Sequence, residues 1–72
     1  MEEVYRDVNM TNISFAQTYL RAEGFNPFVI DTHISALEGG ISLFPRRIMV
    51  SSDNAAAARR LISDLGLEPY DG

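Results

Sequence analysis

The sequence contains no cysteine and a single histidine. Disulfide scaffolds, iron–sulfur clusters, cysteine-ligated zinc and thiol nucleophiles are therefore excluded, and a chain this short has to hold its core by packing alone. Lysine is absent too: all six basic residues are arginines, set against ten acidic residues for a net charge of −4. That balance disfavours nonspecific phosphate binding and anionic membrane surfaces. No apolar run approaches the ~18 residues of a membrane span, and Met1-Glu2-Glu3 is acidic where a secretory signal would be basic and then apolar. The expected setting is the cytoplasm, with neither nucleic acid nor membrane as a partner.

What is present is ordinary globular material. Hydrophobic residues make up 46% and charged residues 22% of the 72 positions, enough for one folded domain over residues 1–72 and too little length for two. Residues 3–8 alternate and carry Val4, Tyr5 and Val8, which predicts a first strand. A helix follows, with Thr11 or Asn12 to cap its start and Gly24 to end it; Ile13, Ala16 and Leu20 form its apolar stripe, with Phe15 and Tyr19 one turn apart on the flank. Phe25-Asn26-Pro27 reads as a turn, and Phe28-Val29-Ile30 as a short second strand. Residues 32–45 contain Gly39-Gly40 and Pro45 without a clean period, a loop with at most one helical turn at Ile34-Ser35-Ala36-Leu37. Arg47-Ile48-Met49-Val50 predicts a third strand. Ser51-Ser52-Asp53-Asn54 offers capping side chains for a second helix whose stripe is Ala58, Leu61, Ile62 and Leu65, closed by Gly66. Leu67-Glu68-Pro69-Tyr70 adds at most a short last strand, because Pro69 has no amide to donate.

The order strand-helix-strand-strand-helix, with two one-faced helices, predicts an α+β fold with both helices on one face of an antiparallel sheet. This is the ferredoxin-like, split βαβ arrangement, with the third strand between the first two.

With these elements in place the chain resembles a known family, the putative prokaryotic signal-transducing proteins, a family of unknown function classed with the PII-like superfamily. The resemblance lies in Tyr19-Leu20-Arg21-Ala22-Glu23-Gly24-Phe25, Pro27-Phe28-Val29-Ile30, Ile34-Ser35-Ala36-Leu37-Glu38-Gly39, Arg47-Ile48-Met49-Val50 and the alanine-rich start of the second helix. It implies a ferredoxin-like fold, a bacterial cytoplasmic setting and a role in signal transduction. PII proteins contact partners through a long loop between their second and third strands, and residues 32–46 occupy the corresponding place here.

The residues themselves announce no chemistry. His33, with Asp31 and Glu38 nearby, is a loop histidine without a nucleophile or a charge-stabilising partner, so no catalytic residue is assigned and no enzyme is expected. One imidazole among scattered carboxylates makes no metal set, and Gly39-Gly40 lacks the rest of any phosphate-binding motif, so neither metal nor cofactor is expected. Arg46-Arg47 is the candidate anion contact, since guanidinium forks suit oxyanions. Arg59-Arg60 lies outside the buried stripe and reads as solvent-facing. If Val4, Ile30 and Val50 point to the helices, alternation sends Tyr5, Val29 and Met49 to the reverse face of the sheet, an apolar row with no third layer to cover it. Arg6 shares parity with Val4 under that assignment. The expected activity is binding, to a partner protein or to another copy of the chain, through that open face and the loop. The alternative is a sensor of an anionic metabolite or nucleotide held by Arg46 and Arg47.

Overall fold

The computed structural model describes residues 1–30 and 45–71. In chain order the elements are β1 (Glu2–Asp7), α1 (Met10–Ala22), β2 (Phe28–Ile30), β3 (Arg46–Val50), a 3₁₀ turn (Ser52–Asn54) and α2 (Ala55–Asp64). The strands form an antiparallel sheet in the order β1-β3-β2, and both helices pack on one side of it around a common core. This is the expected α+β, split βαβ layout. The expected loop at 32–46 falls almost entirely outside the described residues, as do the helical turn at Ile34-Ser35-Ala36-Leu37, the His33 cluster and Gly39-Gly40.

The core follows from the apolar stripes. Ile13, Ala16 and Leu20 of α1 and Ala55, Ala58 and Ile62 of α2 close over Val4, Tyr5, Ile48 and Val50. Burying each of the larger aliphatic side chains contributes about 1.5–3 kcal/mol. The α2 stripe sits slightly earlier than its spacing predicts: Ala55 is buried, while Leu61 is only partly covered.

The helix ends explain why the two helices stop where they do. Gly24 and Gly66 adopt φ of +84° and +88°, the left-handed conformation that glycine reaches without steric cost. At the first, Gly24 N–H donates to Arg21 O and Phe25 N–H to Leu20 O, each at 3.0 Å; at the second, Gly66 N–H donates to Ser63 O at 3.0 Å and Leu67 N–H to Ile62 O at 3.1 Å. In each case the residue after the glycine, Phe25 or Leu67, packs against the core. The same paired hydrogen bonds and apolar anchor thus end both helices.

The helix starts differ from expectation. The cap of α1 is Asn9, not Thr11 or Asn12: its Oδ1 accepts from Thr11 N–H at 2.8 Å and Asn12 N–H at 3.3 Å. Asn12 is diverted, its side-chain amide donating to Asp7 Oδ2 at 2.9 Å. At α2 the 3₁₀ turn Ser52–Asn54 precedes the helix, and neither Ser51 nor Asn54 makes a side-chain cap bond. After α1, Asn26 takes φ of 50° in the predicted turn, a conformation asparagine tolerates better than most residues.

Residues 67–71 form no strand. They nevertheless reach β1, where Tyr70 N–H donates to Val4 O at 2.7 Å.

Candidate interaction face

The register of the sheet decides which side chains face away from the helices. Residues paired directly across antiparallel strands share a face. β3 pairs Ile48 with Tyr5 and with Val29, and Ile48 is fully buried under the helices. Tyr5 and Val29 therefore belong to the core side, where Tyr5 is 3% exposed and Val29 packs against the core cluster. This corrects the expected reverse row of Tyr5, Val29 and Met49: of the three, only Met49 lies on the reverse face.

The physical reason in β1 is a bulge. The pairing register shifts between Glu3 and Tyr5, so Val4 is an extra residue, and both Val4 and Tyr5 are buried. One inserted residue reverses the parity of everything after it. In β2 the reason is that Phe28-Val29-Ile30 contains no polar residue to set its phase. The register turns Val29 inward and Phe28 and Ile30 outward, opposite to the expectation for Ile30.

Among the described residues, the reverse face then carries two cross-strand rows. Glu3, Met49 and Phe28 form one, and Arg6, Arg47 and Ile30 form the other. Phe28 is 55% exposed, and Met49 and Ile30 are half-buried beside it. Together they make an apolar corner on β2 and β3. On β1 and β3 the face is charged: Arg6 chelates Glu3 through Nε at 2.5 Å and Nη2 at 2.9 Å, and Arg47 Nη1 approaches Glu3 Oε1 at 4.0 Å. One carboxylate thus lies between two guanidiniums that sit opposite each other on neighbouring strands. The ring of Tyr70 covers Arg6, with its centroid 4.0 Å from the guanidinium carbon, a cation–π contact.

Arg46 and Arg47 are not brought together. As strand neighbours they point to opposite faces: Arg47 joins Glu3 on the reverse face, whereas Arg46 pairs with Asp7 and its Nη1 contacts Met10 Sδ at the start of α1. A single anion is therefore not gripped between them.

At the other end of β1, Asp7 organises the turn into α1. Its carboxylate accepts from the Tyr5 hydroxyl at 2.6 Å, Asn9 N–H at 2.9 Å and the Asn12 side chain at 2.9 Å. The Tyr5 hydroxyl above all, then the Asn9 amide and Asn12, hold the Asp7 carboxyl below its usual range. Tyr5 moves the other way: burial, reinforced by its bond to Asp7, raises its hydroxyl well above the ordinary tyrosine value. Four polar groups are satisfied by one another here, and the cluster ties the end of β1 to the start of α1.

Sequence reasoning missed Arg59. It was expected to face solvent, yet its side chain is only 23% exposed and spans from α2 to β1. The available signal was its position next to Ala58 on the rim of the apolar stripe, where a long side chain can run along the core and carry its charge to an edge.

A second exposed apolar feature lies on α1. Phe15 and Tyr19 make an edge-to-face pair with centroids 5.1 Å apart, each partly open to solvent.

With topology, register and face defined, comparison with known families places the chain. The family described as putative prokaryotic signal transducing protein matches residues 1–66. The chain belongs to that family. The match takes in every helix and strand described above and stops before the 67–71 segment that reaches β1. No curated protein sequence matches the chain. Among the described residues no group of three or more histidines, cysteines or carboxylates could hold a metal ion, and no helix is long and apolar enough to cross a membrane.

Proposed function

We propose that this family member works as a small cytoplasmic binding module, transmitting a signal by docking a partner protein or another copy of itself on the reverse face of its sheet. The observation that supports this reading is the contiguity of Phe28, Met49 and Ile30 on a face whose remaining positions are Glu3, Arg6 and Arg47. An apolar corner rimmed by charge is the composition of a protein contact surface, with the core of the patch excluding water and the rim setting orientation. A partner offering an apolar side chain for the corner and a carboxylate for Arg47 fits it best, because among the described residues one carboxylate, Glu3, stands against two guanidiniums.

A second reading, a sensor of a small anionic metabolite or nucleotide, draws on Arg47 standing opposite Arg6. Amide chemical-shift titration with a nucleotide panel separates the two. Shifts confined to Arg6, Arg47 and their neighbours support the sensor, and an unshifted spectrum supports the protein-binding module. Light scattering and partner capture, repeated with Phe28→Asp and Met49→Asp, test the module directly. Association lost in both variants while the circular dichroism stays native is the expected result. Association unaffected by either variant overturns the reverse-face reading.

A further inference from the structure

Two successive carbonyls of β1 are met from outside the sheet. Val4 O accepts from Tyr70 N–H at 2.7 Å, and Glu3 O accepts from Arg59 Nη2 at 2.9 Å. Residues 67–71 thus lie where a fourth strand would, but they form no ladder, and Pro69 has no amide to contribute. Arg59 is the clasp. Its Nε donates to Tyr70 O at 2.8 Å, its Nη2 also reaches Glu2 Oε1 at 3.3 Å, and Asp71 Oδ1 lies 3.9 Å from Nε. Leu67 anchors the segment in the core, and beyond it, among the described residues, the hold comes from this guanidinium, the Tyr70 N–H hydrogen bond and the Tyr70 ring on Arg6. An uncovered edge strand presents unpaired N–H and C=O groups, a template on which another chain can pair.

We propose that residues 68–71 are a removable strap over the β1 edge, and that the uncovered edge pairs antiparallel with β1 of a second copy of this chain. The occupant follows from charge and face. In a two-fold antiparallel pairing centred between Val4 and Tyr5, Glu3 of each copy opposes Arg6 of the other, and both lie on the reverse face. Val4 opposes Tyr5, and both lie on the core side, so every opposed pair shares a face. The Glu3–Arg6 attraction within each chain is exchanged for the same attraction between chains, twice. Glu2 opposes Asp7 at the two ends, and this like-charged contact keeps the union reversible. The pairing uses the sheet edge and does not depend on docking at the reverse face.

Arg59→Met keeps an apolar stem and removes every bond the guanidinium donates. Tyr70→Pro leaves Arg59 in place and removes the strap's amide. Light scattering of the full chain over a rising concentration series, with circular dichroism to check folding, is expected to show either variant dimerising at least about tenfold more tightly than the unaltered chain. That is the factor expected when a hydrogen-bonded strap no longer competes for the edge. Adding Arg6→Glu to either variant returns it to monomer, and adding Glu3→Arg to that combination restores the dimer. Should Arg59→Met fail to fold, Tyr70→Pro decides the matter. Folded variants no more dimeric than the unaltered chain overturn the proposal. So does a dimer that survives Arg6→Glu but is lost with Met49→Asp, an outcome that would leave the reverse-face reading standing.

Discussion

Glu3 and Arg6 stand three residues apart on one strand, yet their side chains meet on the same face in a two-pronged ion pair. In a regular strand residues of opposite parity point apart. The bulge at Val4 brings them together, and the same pair then stands beside Arg47. Glu3→Gln leaves Arg6 and Arg47 opposed with no carboxylate between them. The expected cost is below about 1 kcal/mol at low salt, as for other partly exposed pairs, and it shrinks at about 0.5 M salt. Urea unfolding of both proteins at two ionic strengths measures it, and a salt-independent difference would count against the electrostatic account.

The register distinguishes two neighbouring apolar residues sharply. Val29→Asp places a carboxylate against the core beside Ile48 and is expected to cost several kcal/mol, enough to unfold a domain this small. Phe28→Asp, one residue away and mostly exposed, should stay within about 0.5 kcal/mol of the unaltered chain. Denaturation midpoints of the two variants decide it, and equal effects would mean that β2 is turned the other way.

Asn9 caps α1 through two amides that otherwise lack an intrahelical partner. Asn9→Ala should lower stability by about 1 kcal/mol, whereas Thr11→Ala, at an exposed position that supplies only its amide, should change it little. Thermal unfolding of the pair checks the assignment, and the reverse ranking would move the cap to Thr11.

Asp7 and Tyr5 make stability depend on pH at opposite ends of the scale. The folded Asp7 carboxyl titrates lower than an unfolded one, so its contribution is present above the ordinary aspartate value of about 3.9 and is lost as pH falls through the lowered folded value. The folded Tyr5 hydroxyl titrates higher than an unfolded one. Its contribution is present below about pH 10 and is lost as pH rises beyond it. Asp7→Asn should flatten the acid limb of a stability–pH curve, and Tyr5→Phe the alkaline limb. An acid limb unchanged in Asp7→Asn would remove Asp7 from the account.

How much of this was legible beforehand depends on the range of the interaction that decides each feature. Ile13, Ala16 and Leu20 repeat at helical spacing, Gly24 and Gly66 mark helix ends, and Ile48 with Val50 marks a strand. These patterns are local, and they determined the elements, their order and the side of the sheet on which the helices lie. The capping of α1 lay just beyond that reach, because Asp7 competes for Asn12 across the β1–α1 turn.

The candidate site was decided by tertiary structure. Whether Tyr5 and Val29 or Phe28 and Ile30 face outward depends on which residue of β3 each meets, and a three-residue apolar strand carries no internal record of its phase. The Val4 bulge is a property of two strands together, and Arg59 found β1 across 56 residues of chain. Composition and periodicity could specify a sheet with both helices on one side. Which side chains stand on it was determined by cross-strand pairing, because one inserted residue exchanges the faces of all those that follow.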